Sequence, residues 1–197
     1  KVASHGLTNL PLLEHLAGCG KPVVLSTGMC TLDEIDDAVR LFEGTNAALA
    51  LMHCVSSYPQ PAEESNLPMI AELRKRYGLP VGYSGHELGY LPTLAGVALG
   101  ADLVERHITL DRSAVGFDHR LSLEPDELAE MIRSIRTVEA AVRPAAKAIS
   151  ETEMITRRKY QVSIVATRDI QVEETITQAM LTLKNPGTGL AARHMSE

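Results

Sequence analysis

Pro22-Val23-Val24-Leu25-Ser26-Thr27-Gly28-Met29-Cys30-Thr31-Leu32-Asp33-Glu34 is the stretch whose reading decides the fold. Its first half is a buried strand by composition, with β-branched residues together and turn residues on both sides. Its second half opens a helix. Thr31 can accept from the Glu34 amide while the Glu34 carboxylate reaches back, which is a capping box. Ile35, Val39 and Phe42 mark one face of that helix, and Gly44 stops it. A buried strand followed at once by such a helix is the unit of a parallel sheet with helices outside.

The unit recurs in both directions. Upstream, Lys1 to Ser4 reads as a short strand, followed by a helix near Leu10 to Ala17 that ends at Gly18 and Gly20. Downstream come a strand from Ala48 to Cys54, the loop Tyr58-Pro59-Gln60-Pro61 and a helix from Pro68 to Tyr77. A strand from Pro80 to Ser84, a helix from Leu91 to Leu99 closed by Gly100, and a fifth strand from Asp102 to Ile108 follow. After a long loop, Pro125 suits the first turn of a helix whose inner face is expected to carry Leu128, Met131, Ile132, Ile135, Val138 and Val142.

Five such units in residues 1–145 fit either a five-stranded doubly wound sheet or the last five units of a (β/α)8 barrel, which needs about 250 residues when complete. From Pro144 to Lys159 the composition turns polar, so residues 146–160 read as a linker. Short β-type runs at Ser163 to Ala166, Arg168 to Ile170, Glu174 to Ile176 and Met180 to Leu183 then suggest that 161–197 opens a second, small β-rich domain.

The 197 residues are 45% apolar and 22% charged, in the range of a globular protein. Aromatic residues make up 4% and Trp is absent, so aliphatic side chains must build the core. A net charge of −6 argues against bulk nucleic-acid binding, which needs a basic face. Cys19, Cys30 and Cys54 lack metal-type spacing and read as reduced thiols of a cytoplasmic protein. No apolar run approaches the roughly 18 residues of a membrane span. The opening Lys1-Val2-Ala3-Ser4 reads as a strand rather than a signal peptide, so the chain is expected to begin within a fold.

The polar residues gather at one end of every strand. These ends read Lys1 and Ser4, Ser26-Thr27, His53 with Ser56-Ser57-Tyr58, Ser84 with His86, and Glu105-Arg106-His107. In parallel α/β folds ligands bind where strands end, and in a barrel those ends converge, which favours the barrel. Ser4, Ser26 and Ser84 can donate to phosphate oxygens while Lys1 supplies positive charge. His86 and His107 end consecutive strands and can share a divalent ion completed by water and substrate oxygens, closer to Mn²⁺ than to structural Zn²⁺. Glu105 reads either as a group orienting His107 or Arg106 behind a metal, or as half of an ion pair between strands. Asp118 lies on the long loop, suited to substrate hydroxyls or to an ordinary turn. His53 reads equally as a packed strand residue, and His5, His15 and His194 as surface residues.

The runs Lys1-Val2-Ala3-Ser4, Leu25-Ser26-Thr27-Gly28-Met29, His53-Cys54-Val55-Ser56-Ser57-Tyr58-Pro59 and Gly82-Tyr83-Ser84-Gly85-His86 resemble sialic acid synthases in order and spacing. So do Ala98-Leu99-Gly100-Ala101, Glu105-Arg106-His107-Ile108-Thr109-Leu110-Asp111, and Asp118-His119 with Ser122-Leu123-Glu124-Pro125. The resemblance implies a (β/α)8 barrel followed by an antifreeze-like (SAF) domain, whose beginning Thr167-Arg168-Asp169-Ile170 and Asn185-Pro186-Gly187-Thr188-Gly189 resemble.

It implies an enzyme that condenses phosphoenolpyruvate with an N-acyl amino sugar. Lys1, Ser4, Ser26 and Ser84 would hold phosphoenolpyruvate, and Ser56, Tyr58 and Asp118 the N-acetylmannosamine-type sugar. His86 and His107 would bind Mn²⁺ or Mg²⁺, with Glu105 beside them in the catalytic group. It also implies a domain-swapped homodimer of the full-length protein. The family's catalytic Glu lies on earlier strands, so this stretch alone is expected to be inactive. Asn185 stands where the family commonly has Arg, and Ser56 where some members have Asn, which leaves the acceptor sugar open. Rival readings are a legionaminic or pseudaminic acid synthase, another aldol-type phosphoenolpyruvate synthase, or an inactive barrel serving as a scaffold.

Overall fold

The computed structural model describes residues 1–185 and 187–196; Pro186 of the Asn185–Gly189 run and the terminal Glu197 lie outside them. The chain divides into two compact units, Lys1–Arg143 and Pro144–Glu197.

The first unit holds β1 (Val23–Ser26), β2 (Leu49–Cys54), β3 (Val81–Gly85) and β4 (Val104–Arg106), all parallel and in that spatial order. Its helices are α1 (Leu10–Gly18), α2 (Leu32–Arg40), α3 (Met69–Tyr77), α4 (Leu91–Ala98) and α5 (Pro125–Ala141). The curled four-stranded sheet with helices between its strands is an α/β half-barrel, consistent with part of a TIM barrel. The capping box at Thr31 and Glu34 forms as read, with both reciprocal bonds present at the start of α2.

Two corrections concern the strands. Lys1 to Ser4 contributes a single parallel bridge, Val2 to Leu25, rather than a full strand. The chain turns at once into a 3-10 turn at Ser4–Gly6, closed by Gly6 N–H to Ala3 O at 2.8 Å. At the far edge, Ile108 bridges Leu123 in parallel, inside the stretch read as loop. The Leu123 amide donates to His107 O at 2.9 Å, and the Thr109 amide to Leu123 O at 3.0 Å. Six parallel tracks therefore run from Val2 to Leu123.

Period-two alternation separates the faces of the sheet. Val23 and Leu25, Leu49 and Leu51, and Val81 and Tyr83 join Leu13, Ile35, Ala38, Ile70 and Leu73 in one buried cluster between strands and helices. The residues between them, Ser26, Cys54 and Ser84, face the cleft described below. In α5 the expected inner face narrows. Met131 is buried, but Ile132 is 46% and Val142 48% exposed. Ile132 is one residue, and so about 100°, off the Leu128–Met131–Ile135–Val138 stripe, while Val142 lies past the last helical residue.

In the second unit α6 (Glu151–Tyr160) precedes β5 (Ser163–Ala166) and β6 (Leu181–Lys184), which pair antiparallel. A helix thus stands inside the run read as a linker. Ser150 and Glu153 form its capping box, Arg157, Arg158 and Lys159 fill its last turn, and it buries no residue. The β-type runs at Arg168 to Ile170 and Glu174 to Ile176 are not strands.

Candidate active site

Lys1, Ser4, Ser26, Ser56, Tyr58, Ser84, His86, Glu105 and His107 line one cleft of about 320 Å³ at the C-terminal ends of the strands. Strand parity explains the set. Ser26 ends β1, Ser84 lies at the end of β3 with His86 two residues on, and Glu105 and His107 are two apart across the end of β4. Residues two apart on a strand face the same side. Asp118 stands outside this lining, with Oδ2 3.5 Å from Nδ1 of His107.

Glu105 is the hub of the polar floor. Its carboxylate pairs with Lys1 Nζ at 3.0 Å and accepts from Ser84 Oγ at 2.9 Å. Burial raises the Glu105 carboxyl, but the bonds from Lys1 and Ser84 outweigh it and hold the pKa below the usual range. Glu105 therefore behaves as a strand-crossing ion-pair partner; the bonds found for it run to neither His107 nor Arg106. Ser26 is 3% exposed, and its Oγ is buried without a partner among the described residues. A buried orphan hydroxyl facing a cleft is costly unless a ligand completes it.

His86 is 5% exposed and ringed by aromatic neighbours, with the Tyr58 ring centroid at 4.3 Å and that of His107 at 5.4 Å. Its Nδ1 lies 2.8 Å from Val55 O. A carbonyl only accepts, so Nδ1 carries the proton and Nε2 keeps a free lone pair. Burial pushes the His86 pKa below its ordinary value, further than the Val55 bond raises it, which favours the neutral ring. The His86 and His107 rings, with centroids 5.4 Å apart, are a donor pair that suits a divalent ion completed by water or substrate oxygens. Among the described residues no group of three His, Cys, Asp or Glu is gathered for a metal ion.

Sequence reasoning missed four residues here. His5, read as a plain surface residue, lines the cleft, as do Met29 and Cys54. Cys54 was detectable from strand parity, since Leu49 and Leu51 of β2 lie in the core and put the even-numbered positions on the other face. Gly28 is the fourth. A methyl on it would lie 2.5 Å from Ser56 Oγ, 2.9 Å from Ser4 Oγ and 3.0 Å from Cys54 Sγ, so only glycine lets these side chains close together.

His53 proves to be a packed strand residue on the helix side, 5% exposed, with Nε2 2.8 Å from Ser65 O. Burial lowers its pKa. The unfolded chain then binds the proton first, so stability is full above the ordinary histidine value near 6.5 and falls as pH drops through it towards the lowered folded value. Urea melts at pH 7.5 and 5.5 are expected to show a lower midpoint at 5.5, with His53→Gln flattening the difference.

The family model described as the NeuB family matches residues 1–147. The chain is 42% identical over 185 residues to N-acetylneuraminate-9-phosphate synthase of Mus musculus, covering 93% of this chain and 52% of that protein. It is 38% identical over 200 residues to N,N'-diacetyllegionaminic acid synthase of Campylobacter jejuni, covering all of this chain and 60% of that one. Among solved structures, a sialic acid synthetase from Leptospira borgpetersenii in complex with citrate matches 78% of this chain and 54% of its own. Its TM-score is 0.73 at 36% identity. The chain thus spans between about half and 60% of the length of these relatives. No helix among the described residues is long and apolar enough to cross a membrane.

Proposed function

This chain belongs to the NeuB family, and we propose that it carries the C-terminal part of the barrel of a phosphoenolpyruvate-dependent nonulosonic acid synthase. Phosphoenolpyruvate, an N-acyl amino sugar of the N-acetylmannosamine type and water would give an N-acetylneuraminate-type acid and phosphate. The observation that carries this is the cleft itself. A cation, the hydroxyls of Ser4, Ser26 and Ser84 (that of Ser26 an orphan), and the two imidazoles of His86 and His107 meet in one space sized for small anions.

In this reading Lys1 and the hydroxyls of Ser4, Ser26 and Ser84 bind the anionic groups of phosphoenolpyruvate. The ion pair with Glu105 holds the Lys1 ammonium in place before the anion enters. Ser84, whose one hydroxyl proton goes to Glu105, would turn it from that carboxylate to the anion. His86 and His107 would hold Mn²⁺ or Mg²⁺, which when bound supplies Lewis-acid polarisation of the sugar aldehyde. Tyr58 covers the His86 ring, Ser56 lines the same cleft and Asp118 lies against His107, a placement suited to the sugar hydroxyls and N-acyl group. C3 of phosphoenolpyruvate attacks the aldehyde carbon of the open-chain sugar and water adds at C2. The tetrahedral carbon then expels phosphate by C–O cleavage. Residues 161–197 would begin the SAF domain, and the whole protein would pair as a domain-swapped homodimer.

A second reading differs only in the acceptor. The chain is also similar along its whole length to a legionaminic acid synthase, and Asn185, where the family commonly has Arg, leaves the acceptor sugar open to a diacetylated one. The Asn185 side-chain amide donates to Tyr160 O at 3.2 Å.

The test is phosphate release from phosphoenolpyruvate by the whole protein with Mn²⁺, with N-acetylmannosamine, with its diacetylated relatives, and without sugar. Sugar-dependent release supports the synthase reading and the preferred sugar names the acceptor. Release with no sugar tried, from a folded protein, sinks it. In the same assay Gly28→Ala, which crowds Ser4 and Ser56, is expected to lower kcat/KM by about 100-fold. An unchanged kcat/KM would exclude those two serines from ligand binding.

A further inference from the structure

His86 and Glu87 are neighbours in sequence, as are Arg106 and His107, and strand alternation sends the members of each pair to opposite faces. The two histidines line the cleft. Glu87 and Arg106 meet behind it, each side chain only 2% exposed, with Arg106 Nη1 2.8 Å from Glu87 Oε1. The grip is double, since Nη2 of Arg106 donates to the main-chain carbonyl of Glu87 at 2.8 Å.

Glu87 is itself anchored. Its Oε1 accepts from the Thr93 hydroxyl at 2.7 Å and from the Thr93 amide at 3.2 Å. Thr93 lies in the first turn of α4, where amides have no partner within the helix. The Tyr83 hydroxyl donates to Oε2 at 3.3 Å. Gly85 stands opposite Arg106 in the register of β3 and β4, and a methyl on it would overlap the Glu87 carboxylate. From the β2 side, the Gln60 amide holds His86 O at 3.0 Å.

Such a pair is a weak device for stability alone. Desolvating two ions offsets most of their attraction, and Nε of Arg106 is buried with no partner among the described residues. What it does is join the backbone that carries His86 to the backbone that carries His107. We propose that the buried Glu87–Arg106 pair is a positioning device that fixes the separation of the two imidazoles, and through it the affinity of the cleft for a divalent cation. The inference rests on the metal reading of those histidines given above.

The test is a Mn²⁺ titration of the whole protein followed by electron paramagnetic resonance, together with the imidazole Hε1 resonances of the metal-free protein. Glu87→Gln combined with Arg106→Met removes both charges at once and strands neither. The double variant is expected to unfold cooperatively, to shift both imidazole resonances, and to bind Mn²⁺ about 10- to 100-fold more weakly. Arg106→Lys keeps the charge but cannot span the carboxylate and the carbonyl together, and is expected to weaken binding in the same direction. Folded variants with parental affinity and parental resonances overturn the proposal. If the parent binds no Mn²⁺, the metal reading fails separately, and the resonances alone decide whether the pair positions the rings. If the double variant does not fold, Arg106→Lys decides.

Discussion

Replacing His86 by alanine is expected to lower amino-sugar-dependent phosphate release by about a thousandfold and to leave the fold intact. The first figure follows, in the proposed metal-binding reading, from the loss of Lewis-acid polarisation, worth several kcal/mol, at 1.36 kcal/mol per tenfold in rate. The second follows from the small structural debt of the ring. His86 gives one hydrogen bond to Val55 O, worth about 1 kcal/mol. No serine of the cleft is expected to match this effect, because in the proposed reading the anion's load would be divided among Ser4, Ser26, Ser84 and Lys1. The histidine load is divided between two rings only, so His107→Ala should fall in the same range. Steady-state phosphate release, Mn²⁺ binding and a thermal melt on the same preparation check it. A His86→Ala protein that melts normally and keeps its rate would remove the imidazole pair from the chemistry, whatever its spacing suggests.

How much of this was legible depends on the reach of each signal. The Thr31–Glu34 box was readable because its bonds close within three residues. The strands β1 to β3 were readable because their apolar runs are long enough to show a period, and strand ends then placed the cleft. Single-residue pairings carry no such period. Lys1 to Ser4 was therefore extended too far, and the bridge at Leu123 was missed. For α6 the signal was present but overlooked. Ser150-Glu151-Thr152-Glu153 is a capping box with a basic last turn, yet a helix that buries nothing shows no apolar stripe. The bonding of Glu105 to Lys1, 104 residues away, is set by barrel curvature and could only be posed as one of two alternatives. The Glu87–Arg106 pair was illegible for another reason. It joins residues 19 apart on neighbouring strand ends, with the Glu87 side chain lying over Gly85, and no period in the sequence marks that pairing.

Tyr83→Ala is expected to have the largest effect on stability, about 3–5 kcal/mol by the scale of buried aromatic deletions. The ring is fully buried on the helix side of β3. Gly96 of α4 lies against it, and a methyl there would be 3.4 Å from Cβ and from two ring carbons of Tyr83. Deleting the ring opens a cavity between β3 and α4 that the missing side chain of Gly96 cannot fill. The hydroxyl adds a second role, accepting from Gln60 Nε2 at 3.4 Å and donating to Glu87 at 3.3 Å. Burial pushes its pKa above the ordinary tyrosine value, so it stays a donor through the neutral range. Tyr83→Phe keeps the ring and removes only that hydroxyl, and is expected to cost about 1 kcal/mol. Thermal melts separate the two roles, with a fall of roughly 10–20 °C expected for the alanine variant and a few degrees for the phenylalanine. Equal losses in both variants would mean that the polar network, and not the packed ring, holds β3 to α4.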